Sequence, residues 1–108
     1  MTSEDLLAVL AAVGHAQRLR VIAELATGQL YVSELARRLK ISRPLLYMHL
    51  ERLEQAGIVV GHLELSDSGK ALKYFELAEF HLHLTIETVV AAVAADTQER
   101  SDAKGTPT

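Results

Sequence analysis

No cysteine occurs anywhere in the 108 residues. That excludes disulfides, thiol-based redox sensing and thiolate metal sites. No run of 18 or more apolar residues is present, so no membrane-spanning helix is expected. The start of the chain is acidic at Glu4 and Asp5, and its apolar run is broken at Gly14-His15, unlike a signal peptide. Cytoplasm is the expected location. There is no Gly-rich phosphate loop, and no Ser/His/Asp set falls at motif spacing. His15 and His49 stand apart on expected helices, where a satisfied or surface histidine is the common case. Neither an enzyme nor a cofactor is expected.

What is present suits one small domain. Hydrophobic residues make up 49% of the chain, more than a disordered chain carries. That is enough apolar material for a core and for a subunit interface. The formal net charge is −3, but it is unevenly spread. Residues 18–73 hold nine basic and six acidic side chains, a balance of +3. Residues 1–17 carry −2 and residues 74–108 carry −4. A mildly basic centre therefore sits between acidic ends.

The centre contains the most informative stretch, SELARRLKISRPLLYMHLERLEQAGI, at residues 33–58. It predicts a short helix, a tight turn and a longer helix. Ser33 is expected to cap the first helix, with Glu34 at its positive end. Leu35, Ala36 and Leu39 form its apolar face. Lys40 occupies a turn position that often needs a left-handed residue. Either the turn differs here or Lys40 carries a strain of about 1–2 kcal/mol. Ser42 can cap the longer helix, and Pro44 sits in its first turn, where no amide hydrogen is needed.

The longer helix, Arg43 to Ala56, divides into two faces. Leu46, Leu50, Leu53 and Gly57 recur at steps of four, three and four and are expected to point inward. Arg43, Pro44, Tyr47, Met48 and Glu51 fall on the other side. An Arg beside an exposed Tyr and Met suits a surface that touches base edges, where Arg can fork onto guanine. Packing of Tyr47 and Met48 against another helix would account for the residues equally well. Glu51 would be repelled by phosphates unless it pairs with Arg52 or a lysine or accepts from a cytosine amine.

On either side, the pattern is readable. Ser3-Glu4-Asp5 opens a helix with a stripe of Leu6, Leu10 and Val13. A second helix is expected from Ala16 to Thr27, with Leu19, Ile22, Ala23, Leu25 and Ala26 mostly inward, ended by Gly28. Leu30-Tyr31-Val32 is short and β-prone. Residues 58–65 and 70–77 can pair as a hairpin across the turn cluster Ser66-Asp67-Ser68-Gly69. A last helix is expected from Ala78 to Ala95, apolar on more than one face. The tail from Gln98 is polar and is expected to be disordered, which gives one domain at 1–97 and a tail at 98–108.

Helix, turn, longer helix and ribbon together form the plan of a winged helix-turn-helix, which puts its second helix into the DNA major groove. Three segments carry a closer likeness: AQRLRVIAELATG at 16–28, VSELARRLKISRPLLYMHLERLEQAGIV at 32–59 and SGKALKYFEL at 68–77. With these the chain resembles the ArsR-type winged helix-turn-helix transcriptional regulators. The resemblance implies a mainly α fold with a small β-wing, and N- and C-terminal dimerisation helices. It also implies a homodimeric repressor on a palindromic double-stranded DNA operator. The DNA-binding residues implied are Ser33, Arg37, Arg38, Ser42, Arg43, Pro44, Tyr47, Met48 and Arg52, with Lys70 and Lys73 on the wing. The dimer contacts implied are Leu6, Leu10, Phe80, Leu82, Ile86, Val89 and Val93.

Some members of that family sense metals. One of their sites uses cysteines near residues 30–35, which this chain lacks. Another uses acids and histidines on the last helix, where Glu79, His83 and Glu87 recur at steps of four. A zinc site needs about four convergent ligands, and no later histidine completes the set. No metal is expected, and the sequence specifies no effector. The rival reading is a winged-helix protein-interaction module that does not bind DNA, which the acidic balance and sparse wing charge would suit.

Overall fold

The computed structural model describes residues 1–104, with side chains described through residue 98. The elements in order are α1 (Ser3–Val13), α2 (Ala16–Leu25), β1 (Leu30–Tyr31), α3 (Val32–Leu39), α4 (Arg43–Gln55), β2 (Val59–Leu65), β3 (Ala71–Leu77) and α5 (Ile86–Lys104). The chain forms two compact units, Ala12–Phe80 and the flanking stretches Met1–Ala11 and His81 onward.

The unit from Ala12 to Phe80 is built on a three-stranded antiparallel sheet in the order β1-β3-β2. Its core gathers Val21 and Leu25 from α2, Leu35 and Leu39 from α3, and Leu46, Leu50 and Leu53 from α4, closed by Ile58, Val59 and Phe75. Three consecutive helices thus bury their leucine stripes on one base of the sheet. Leu19, Ala23 and Ala26, expected inward, face solvent instead. The buried stripe of α2 runs through Val21 and Leu25, one helical turn apart, and this leaves Leu19 on the opposite side.

The caps explain where these helices begin and end. His15, not a hydroxyl or carboxylate residue, caps α2 by accepting from the Gln17 amide at 3.1 Å. The helix α3 starts at Val32, two residues earlier than a cap at Ser33 predicts. Tyr31 takes the cap position without a side-chain bond, because β1 delivers the chain there already in extended conformation. At the other end of α3, Lys40 adopts φ 56° and the Ile41 amide reaches back to the Ala36 carbonyl at 3.2 Å. This is the left-handed closure of a helix with a lysine where glycine is usual. Arg20 of α2 adds a guanidinium hydrogen bond to the Leu39 carbonyl.

The expected cap of α4 is present, with the Ser42 hydroxyl oxygen accepting from the Leu45 amide and Pro44 in the first turn. Gly57 is not part of the inward stripe. It lies past the end of α4 at φ +76°, where it lets the Ile58 amide return to the Leu53 carbonyl. In the hairpin, Gly69 at φ +79° and Ser66 close the turn, and the Ser66 hydroxyl accepts from the Lys70 amide.

In the other unit, Thr2 and Asp5 cap α1 reciprocally, the Asp5 amide donating to Thr2 and the Thr2 amide to Asp5. Ser3, the first residue of α1, is held from α5: both its amide and its hydroxyl donate to the Asp96 carboxylate. A carboxylate at the amino end of α1 is favoured by the helix dipole. The last helix starts at Ile86 rather than Ala78. The reason is local: Thr85 and Thr88 exchange hydrogen bonds between each side chain and the other's amide, which fixes the helix start. His81-Leu82-His83-Leu84 precedes it outside any helix, an alternation with the period of extended chain. The helix continues to Lys104, so part of the expected tail is helical backbone, and 105–108 lie outside the described residues.

Candidate nucleic-acid interface

The two faces of α4 separate as the leucine spacing predicts. Leu46, Leu50 and Leu53 are fully buried, while Tyr47 and Met48 are 43% and 51% exposed. Arg43, Pro44, Glu51 and Arg52 are also exposed. Solvated Tyr and Met side chains are not explained by core packing, so this face is available to a partner.

Beside that face the hairpin of β2 and β3 stands up as a wing. Between wing and helices runs an open groove of about 430 Å³. Its walls include Arg43 and Tyr47 from α4, Ser33 from α3, and Lys70 and Lys73 from β3 and its turn. Five residues separated by up to 40 positions in sequence thus converge on one concave surface. Three of the five are cations, and Arg43 and Lys70 come from different elements. Arg37, Arg38, Ser42, Pro44, Met48 and Arg52 are exposed around the groove's unit but are not among its lining. Arg52 sits nine residues beyond Arg43 on α4, about 13 Å along the helix axis.

The sequence did not single out Tyr31 and Leu63, which also line the groove. Tyr31 pairs with Tyr74 across the β1–β3 ladder, and their rings meet edge to face at 6.0 Å. Its hydroxyl engages Glu64, and burial with that carboxylate pushes the phenol above its ordinary range. Tyr74 in turn stacks on His62 at 5.0 Å, and His62 Nε2 lies 2.9 Å from Glu76. This row lies on one face of the sheet. On the other face Lys73 Nζ lies 5.4 Å from the centre of the Phe75 ring, and Gly61 leaves the space that ring fills. The Leu-rich alternation of residues 59–65 carried the signal for Leu63, which the strand leaves exposed beyond the core.

Electrostatics on α3 are less open than the residue count suggests. Glu34 accepts from Arg37 at 2.5 and 3.1 Å and from Arg38 at 3.0 Å. Arg38 also reaches Glu24 of α2 at 3.4 Å. The hydrogen bonds from Arg37 and then Arg38 hold the Glu34 carboxyl down at about 2. Arg37 falls one helical turn from Ser33, on the stripe that borders the groove, whereas Arg38 leans on α2.

The steps of four through Glu79, His83 and Glu87 do not form a ligand face, because Glu79 and His83 precede the helix. Among the described residues no cluster of three or more His, Asp or Glu could hold a metal ion. No single helix among them is long and apolar enough to cross a membrane. Of the expected dimer contacts, Leu6 is buried, Phe80 packs against the core of the Ala12–Phe80 unit, and Leu10 and Leu82 are half-buried. Ile86, Val89, Val90 and Val93 form an exposed stripe along α5, with Ile86 at 79%.

Fold and groove define a winged helix-turn-helix protein. The sequence model of the family described as bacterial regulatory protein, arsR family, matches residues 15–60, from the α2 cap to the first strand of the wing. That segment is similar to this family of bacterial regulatory proteins. The chain is similar to an uncharacterised HTH-type transcriptional regulator of Methanocaldococcus jannaschii, 36% identical over 58 residues that cover 54% of this chain. The match spans 60% of that relative's length. Among solved structures, an ArsR family transcriptional regulator aligns over 100% of this chain and 98% of its own, with TM-score 0.58 and 20% identity. A possible transcriptional regulatory protein of Mycobacterium bovis aligns over 92% of each chain, with TM-score 0.62 and 21% identity. Reduced HlyU of Vibrio cholerae aligns over 89% of this chain and 90% of its own, with TM-score 0.60 and 22% identity. At these identities the structures establish the shared fold.

Proposed function

We propose that this chain is a sequence-specific, double-stranded DNA-binding transcriptional regulator that acts as a homodimeric repressor. The observation that carries the reading is the groove in which Arg43 and Tyr47 of α4 face Lys70 and Lys73 of the wing. In it α4 enters the major groove, with Arg43, Pro44, Tyr47 and Met48 toward base edges. Ser33, Arg37, Arg38, Ser42 and Arg52 meet phosphates, and Lys70 and Lys73 carry the wing onto the adjoining backbone. The exposed stripe of Ile86, Val89, Val90 and Val93 supports a second copy of the chain as its cover, since one small unit leaves those side chains in water. A two-fold dimer presents two equivalent reading helices and so selects a palindromic site with half-sites about one helical turn apart. The repressor role follows from occupancy of such a site in a promoter. Selection from random duplex DNA, followed by gel shift of the enriched sequence against a scrambled one, tests it. An enriched palindrome bound in preference to the scramble supports the reading. No enrichment and no shift at low salt points to a protein-interaction module instead.

A further inference from the structure

The acid that grips Arg37 and Arg38 is the feature of this surface that DNA binding leaves unexplained. A protein that needs cations for phosphates has placed a carboxylate between two of them. Glu34 holds both guanidiniums at once, and Glu24 shares Arg38. The grip is on the surface: the Arg37 side chain is 72% exposed, so solvent screens the pair and the bond is weak. It is also local, spanning one turn of α3, so it forms without help from the rest of the fold. A weak local pair adds little to stability. Its consequence falls on the charge presented to a phosphate, which is +1 for the three side chains rather than +2.

Resting on the DNA-binding reading, we infer that Glu34 stands in for a backbone phosphate and holds down the phosphate-driven part of DNA affinity, so that DNA without base contacts is bound only weakly. Non-specific affinity comes almost wholly from cations that displace condensed counterions, about 0.9 in the salt slope for each phosphate neutralised. A cation already paired with Glu34 must exchange one anion for another and contributes less to that slope. Base contacts from Arg43 and Tyr47 are untouched by the exchange. The carboxylate therefore lowers affinity for all DNA alike, and the base contacts restore it only on the right sequence. A decrement common to both leaves their ratio unchanged and sets how weakly a duplex without base contacts is held. With a centre of only +3, the chain depends on base reading rather than on charge.

The test uses the full chain and a scrambled duplex, with binding followed by fluorescence anisotropy from 50 to 200 mM salt. Glu34→Gln keeps an acceptor but removes the charge. Its salt slope should steepen by about 0.9, for the one net charge regained, and the loss of scrambled-DNA affinity between 50 and 200 mM should grow by a further factor of roughly 3 to 4. The operator-to-scramble ratio should stay near its wild-type value, because both duplexes gain the same phosphate contacts. Arg37→Gln should cost more affinity in the Glu34→Gln background than in the wild type, a coupling that a merely structural role for Glu34 would not produce. If Glu34→Gln does not fold, Glu34→Ala, which retains helix propensity, must give the same shift. A wild type that binds DNA, with an unchanged slope in the charge-neutral variant or no coupling to Arg37, overturns the inference. A wild type that binds neither duplex overturns the DNA reading beneath it.

Discussion

The rings of His15 and His49 lie 4.7 Å apart, joining the cap of α2 to the buried side of α4. Arg18 Nε donates to His49 Nδ1 at 3.3 Å, so that nitrogen carries no proton in this arrangement. His49 is only 2% exposed. Burial, followed by the neighbouring His15 and Arg18, pushes its pKa below the ordinary 6.5. The core side of the reading helix therefore depends on a neutral histidine facing a cation.

That arrangement makes stability depend on pH in a defined direction. The unfolded chain takes up a proton on His49 near 6.5, before the folded chain does. Stability from the neutral ring is complete above 6.5 and is lost as pH falls below it. The thermal midpoint should drop between pH 7 and pH 5. His49→Gln should flatten the change over that interval. Glu34, held at about 2, loses its contribution only in the more acid range between 4.5 and about 2, so the two groups are separable. An unchanged pH profile in His49→Gln would assign the acid sensitivity elsewhere.

Arg43→Ala should cost about 1–3 kcal/mol on the selected operator if its guanidinium forks onto a guanine. Tyr47→Ala should also weaken operator binding. Neither should move the thermal midpoint, because both side chains stand outside the leucine face of α4. Calorimetric melting beside anisotropy titration separates lost reading from lost folding.

Gly61 has no room for a side chain. A Cβ there would stand 2.8 Å from the Phe75 ring. Gly61→Ala should force that ring or the hairpin to shift and destabilise the fold by about 1–3 kcal/mol, read as a lower midpoint in urea. The wing would be displaced with it, so operator affinity should fall even where the protein remains folded.

Lys40 at φ 56° pays the left-handed penalty of roughly 1–2 kcal/mol. Lys40→Gly removes that strain but adds unfolded-state freedom of about 0.5–1 kcal/mol. A net stabilisation of about 0.5–1 kcal/mol is expected, read as a higher urea midpoint.

Ile86→Asp or Val89→Asp should convert a dimeric wild type to monomers in sedimentation velocity. Each apolar side chain of the stripe counts twice in a symmetric seam, at about 1.5–3 kcal/mol per buried Ile or Val. Operator affinity should collapse with the dimer, since one half-site loses its linked second contact. A wild type that sediments as a monomer would remove the seam from the account.

Much of this was legible in residue spacing. The leucines of α4, the Ser42 cap and the hairpin around Gly69 follow from rules that act within a few residues. Lys40 was readable as one of two outcomes, and the strained one holds. The misplacements share a cause. Val32 begins α3 because β1 delivers it to the helix in extended form, which no local cap signals. Ile86 begins α5 because Thr85 and Thr88 bond each other, and the apolar count across 78–95 concealed that stop. The meeting of His15 with His49 is 34 residues apart in sequence and depends on how α2 and α4 pack, which spacing does not reveal. The groove was half readable: its cations stood out as charges, but Tyr31 and Leu63 join it only through the register of the sheet.

The measurement that bears most directly on the central claim is salt-dependent binding of duplex DNA recovered by selection, compared between wild type and Tyr47→Ala. The account predicts a two-fold symmetric motif, affinity that falls with salt at a modest slope, and a Tyr47→Ala protein that stays folded yet loses preference for the motif. No enriched sequence and no binding at low salt, or a Tyr47→Ala variant that reads the motif as well as the wild type, would contradict it.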